Sequence, residues 1–156
     1  GDSGTTNRVL ATFLTWLSEK TSQVFVVATA NNFEVLTLEL IRKGRFDEIF
    51  FVGLPVESER KQIFEVLLSQ LRPDSVQNYD LQSLSKKAID FSGAEIFQAI
   101  IEGMYIAFNE NREFTTSDIM KGLNEIIPLA QLEKKKIQTL QQWALSGRIR
   151  TASSNF

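Results

Sequence analysis

The 156-residue sequence contains no cysteine and no histidine. The first absence excludes disulfides, thiol nucleophiles and thiolate metal sites. The second removes Ser-His and Cys-His catalysis and leaves any metal site to carboxylates. Proline occurs three times, at Pro55, Pro73 and Pro128, so each one punctuates the chain. No apolar stretch approaches the roughly 18–20 residues of a membrane span, and no signal peptide is visible, so no membrane partner is expected. The net charge is only -2, and nothing global favours nucleic acid. What is present is ordinary for a globular protein with its own core, 43% apolar and 23% charged residues. The chain opens Gly1-Asp2-Ser3-Gly4 without methionine, which fits a processed or tagged terminus as well as a piece of a longer chain.

Hydrophobic spacing divides the sequence into two parts. Residues 6–19 place Val9, Leu10, Phe13, Leu14 and Leu17 at helical period. Val24-Phe25-Val26-Val27-Ala28 is a short β-branched run, predicting a strand buried on both faces, and Ile49-Phe50-Phe51-Val52 predicts a second. A short helix is expected over 38–42, ended by Gly44. Beyond Pro55 the periodicity is helical throughout. Helices are expected over 58–71, from an Asp80 N-cap through Ala88, from the capping box Ser92-Gly93-Ala94-Glu95 onward, over 115–127, and over 131–145, with a loose tail from Ser146. Two doubly buried strands cannot make a sheet unaided, a physical sign of chain that lies elsewhere.

The candidate chemistry sits between the strands. Asn31 leaves the first strand, and Leu40-Ile41-Arg42-Lys43-Gly44-Arg45-Phe46-Asp47 follows. Two arginines flanking a glycine put two permanent, planar cations beside a sharp turn, a device suited to charge developing in phosphoryl transfer. Alone, such a pattern is only a basic turn, and Asn31-Asn32 only a turn signal. Taken with the strand and the gapless spacing, residues 31–47 resemble the AAA-type ATPase stretch from sensor 1 to the arginine fingers. There the second part reads Leu-Leu-Arg-Pro-Gly-Arg-Phe-Asp, so Lys43 stands where proline is frequent. Asp90-Phe91-Ser92-Gly93-Ala94-Glu95-Ile96 further resembles the sensor 2 region of AAA lids, without its sensor arginine. A narrower resemblance runs through nearly the whole chain, in residues 4–9, 13–20, 42–52, 127–129 and 143–144. It is to the hypothetical chloroplast reading frame forty-six AAA proteins of cyanobacteria and red-algal plastids.

This resemblance implies an α/β fold: the C-terminal part of a P-loop AAA α/β domain over residues 1–56, an all-α AAA lid over 57–130, and a C-terminal helix and basic tail over 131–156. It implies ATP as substrate, with Asn31 orienting the attacking water or touching the γ-phosphate. Arg42 and Arg45 would reach the nucleotide of the neighbouring subunit in a homo-oligomeric ring, expected to be a hexamer. Gly93 and Ala94 would border the adenine and ribose, where missing side chains let backbone approach a flat base. A protein substrate and a location in the plastid stroma or the cyanobacterial cytoplasm are also implied. The sequence holds no Gly-x-x-x-x-Gly-Lys-Ser/Thr and no strand ending in an acidic pair. The ligands for phosphate and Mg2+ would therefore lie upstream, and this stretch alone is expected to be inactive. Its helical lid is expected to fold by itself while the α/β part is not. Two other readings stay open, a non-catalytic AAA-like scaffold and a nucleic-acid-associated factor. The run Lys134-Lys135-Lys136 with Arg148 and Arg150 bears on the latter, although a solvated basic face near a helix C-terminus accounts for it better.

Overall fold

The computed structural model describes residues 3–30, 46–147 and 150–152. The chain divides into two compact units, residues 1–49 and 50–156. In the first, helix α1 (Ser3–Glu19) follows its apolar period. Leu14 and Leu17 are buried, and the Phe13 and Trp16 rings stack one turn apart with centroids 5.9 Å from each other. Thr12, Thr15 and Ser18 donate their hydroxyls to carbonyls four residues back, which satisfies them without breaking the helix.

The expected strand at Val24–Ala28 is not formed. The segment carries no ladder, and Phe25 is 93% exposed. A strand of this composition draws its burial from strands on either side, and the described residues supply none here. The helix expected over 38–42 lies outside the described residues.

The second unit is mostly helical. Strand β1 (Phe50–Phe51) runs into the linker 52–56 and helix α2 (Glu57–Leu71). A single 3-10 turn (Val76–Asn78) leads to α3 (Leu81–Lys87), opened as expected by Asp80, whose carboxylate accepts the Ser83 N–H at 2.9 Å. Helix α4 (Gly93–Asn109) starts at the expected capping box and ends through Asn111, at φ 52°. The Asn111 and Arg112 amides donate to the Phe108 and Ala107 carbonyls, closing the helix end. Helix α5 (Thr116–Glu125) is capped at Thr115 and stops before Pro128. The single helix expected over 131–145 is instead two, α6 (Leu129–Leu132) and α7 (Lys134–Leu145), broken at Glu133. The tail is not loose throughout either. Strand β2 (Arg150–Thr151) pairs parallel with β1, Phe50 opposite Arg150, and the Ala152 amide donates to the Phe51 carbonyl at 2.8 Å. Among the described residues no helix is long and apolar enough to cross a membrane.

The core lies where α2, α3, α4 and α5 meet. Phe64, Leu68, Leu84, Ile96, Ile100 and Ile119 are fully buried in it. Each contributes on the order of 1.5–3 kcal/mol of apolar burial. Helices α4 and α5 cross at two glycines. A Cβ at Gly103 would stand 2.8 Å from the Ile119 nitrogen, and one at Gly122 would run into the Ala99 carbonyl oxygen.

One buried carboxylate locks the turn between these helices. Asp118 is 1% exposed and accepts both Arg112 guanidinium nitrogens, at 2.6 and 2.8 Å, together with the Thr115 amide at 2.9 Å. The Arg112 hydrogen bonds, ahead of burial working in the opposite sense, hold the Asp118 carboxyl well below its ordinary 3.8. Since folding lowers this pKa, the unfolded chain binds the extra proton as pH falls below about 3.8. The stabilisation is therefore complete above that value and is lost progressively below it. We expect Asp118→Asn to cost about 2 kcal/mol at neutral pH, the scale of hydrogen bonds to a charged group. The gap from wild type should close in acid, as read from urea unfolding at pH 7 and pH 3.

Candidate functional site

Beside the core, the second unit has an open cleft of about 540 Å3. Its floor is the linker, Val52-Gly53-Leu54-Pro55, and the start of α2 at Glu59 and Ile63 forms one wall. The N-terminus of α4 contributes Ser92 and Gly93, and Ile137, Leu140 and Ala152 close it from the C-terminal segment. The volume lies within the range of small-molecule sites, and the lining is chiefly apolar with few polar groups.

Local chemistry fixes each part of this cleft. Arg60 is only 8% exposed and donates from Nη1 to the Pro55 carbonyl at 2.8 Å and from Nε to the Ser85 carbonyl at 2.9 Å. The linker is thereby tied to the end of α3. At the other side, Glu95 serves two helices. Its Oε2 accepts the Ser92 N–H at 2.7 Å, completing the capping box of α4, while its Oε1 accepts the Leu129 N–H at 2.7 Å at the start of α6. Burial works against the charged form of Glu95, but the bonds from Leu129 and Ser92 outweigh it and hold the carboxyl below its ordinary value.

Gly93 is the first residue of α4 and half-buried on the cleft. A Cβ there would meet nothing nearer than Ile63 Cδ1, at 3.8 Å. Among the described residues no neighbour requires glycine at this position, in contrast to Gly103 and Gly122. Ala94 is exposed and does not line the cleft. Asn31, Arg42 and Arg45 lie outside the described residues. No three acidic side chains converge on a metal-binding geometry among the described residues.

Arg60 and the C-terminal wall escape a sequence reading. A lone arginine on a helix reads as solvated. Ile137 and Leu140, three residues apart on α7, do signal one apolar face, but not what that face meets.

Comparison with known proteins bears on the same residues. The model of the ATPase family associated with various cellular activities (AAA) matches residues 1–54. The AAA domain-containing protein ycf46 of Trieres chinensis is 61% identical over 99% of this chain, and that of Guillardia theta 59% identical over 97%. A proteasome-activating nucleotidase of Saccharolobus solfataricus is 30% identical over 76% of the chain. The chain spans 31%, 30% and 29% of the lengths of these three relatives, respectively. With the family model on the α1 unit and β1, and the relatives aligned through the helices to the tail, the chain belongs to the AAA-type ATPases.

Proposed function

We propose that this chain is the sensing and lid portion of a module that binds and hydrolyses ATP in the intact protein, working in a homo-oligomeric ring in the plastid stroma or a cyanobacterial cytoplasm. The cleft receives the adenine between the linker and the start of α4. Asn31 orients the attacking water or contacts the γ-phosphate, and Arg42 and Arg45 complete the site of the adjacent subunit. In this arrangement a lid that moves with nucleotide state would transmit hydrolysis to a protein substrate.

The observation that carries the reading is Gly93. It is a helix-initiating glycine on a small-molecule-sized cleft, and the other described residues leave room there for a side chain. An approaching ligand supplies the missing reason for glycine. Gly93→Ala in the full-length protein separates the two explanations, because alanine at a compatible position should raise stability by about 0.5 kcal/mol. Affinity for ADP should nevertheless fall about tenfold, equivalent to roughly 1.4 kcal/mol, as the methyl group displaces the base. Calorimetric titration with ADP and a thermal melt measure both quantities. Unchanged ADP affinity would remove Gly93 from the nucleotide site.

A further inference from the structure

Helix α7 contributes nothing to the hydrophobic core; none of its residues is fully buried. Two of its half-buried apolar side chains, Ile137 and Leu140, instead line the cleft together with the linker and Ile63. The helix is held there from both ends. At its start, α6 is fastened to α4 by the Glu95 carboxylate, which accepts the Leu129 N–H at 2.7 Å. Beyond its end, β2 pairs with β1, the strand that runs into the linker. The C-terminal segment thus bridges α4 and β1, and its apolar pair lines the cleft that both of them border.

We propose that α7 is a nucleotide-binding element, with Ile137 and Leu140 forming the second wall against which the adenine packs. This rests on the reading of the cleft as the adenine site, and it adds to that site a helix outside the α2–α5 core. Physically, a flat base needs apolar surface on both faces to leave water. The linker and Ile63 offer one such surface and α7 the other. Removing the second face should weaken binding without loosening the fold, since the core does not include it.

The test uses the full-length protein and a fluorescent ADP analogue. Ile137→Ala combined with Leu140→Ala is expected to weaken ADP binding about tenfold or more, the scale of lost methylenes in an apolar pocket. Gln138→Ala with Gln141→Ala, changing exposed positions of the same helix, should leave affinity as in wild type. Leu140→Phe keeps the surface apolar but fills the gap, and is expected to weaken binding even if the double variant fails to fold. Affinities equal to wild type in the folded cleft variants would overturn the proposal. So would tighter binding, which would make α7 an obstruction. Failure of the wild-type protein to bind ADP or ATP would instead overturn the nucleotide reading itself, and this inference with it.

Discussion

Full-length protein carrying Arg45→Ala is expected to lose ATP turnover by about a thousandfold, the lower end of what a trans-acting arginine supplies in phosphoryl transfer. Nucleotide affinity should change little, because a cation aimed at a neighbour's transition state acts on turnover more than on ground-state binding. The effect comes from a permanently charged guanidinium, so Arg45→Lys should restore only part of it: an ammonium has no planar fork for phosphate oxygens. Complementation tests the trans assignment. Asn31→Ala and Arg45→Ala proteins should each be inactive alone and regain activity when mixed before ring assembly. A subunit with intact Asn31 can then sit beside one with intact Arg45. If both residues serve the same subunit's nucleotide, no mixture recovers activity. Turnover by Arg45→Ala at the wild-type rate would end the arginine-finger reading outright.

The motif behind this proposal is local in the sequence. Asn31 after a β-branched run, and Arg42-Lys43-Gly44-Arg45 at fixed spacing, need no knowledge of distant chain. The helix starts were legible for the same reason: Asp80 and Ser92-Gly93-Ala94-Glu95 state their caps within four residues. Contacts between distant residues were not. The second role of Glu95 lies 34 residues away at Leu129, and the ties of Arg60 reach to Ser85. Strand β2 gave no pattern at all, since two exposed residues joined through backbone amides leave no trace in side-chain hydrophobicity. Val24–Ala28 failed in the opposite direction. Its composition specifies a strand, but a strand is a property of pairing, and composition cannot supply the partner.

The glycines of α4 and α5 show the same limit in energetic form and yield the largest expected change in stability. In sequence, Gly103 and Gly122 are merely poor helix formers, each about 1 kcal/mol worse than alanine. Replacement by alanine would therefore be expected to stabilise both helices. The structure reverses that sign. At Gly122 the added methyl collides with the Ala99 carbonyl oxygen and comes within 3.2 Å of Glu102 Cβ; at Gly103 it lies 2.9 Å from the Asp118 carbonyl carbon. These neighbours are mostly backbone on a packed helix, so they cannot rotate aside. Relief requires α4 and α5 to separate, which would also open the contacts of Ile100 and Ile119. We expect Gly122→Ala to destabilise the 156-residue chain by about 3 kcal/mol, at the upper end of ordinary overpacking, with Gly103→Ala somewhat less. For a helical unit of this size the melting temperature should fall by roughly 10–20 °C, followed by circular dichroism at 222 nm. Gly93→Ala, the same change at a third helical glycine, should move it slightly upward. A rise in melting temperature for Gly122→Ala would mean that the two helices do not approach as closely as described. The Gly93 test would then lose its contrast, because its force rests on one glycine being free of close neighbours among the described residues while the other two are held by theirs.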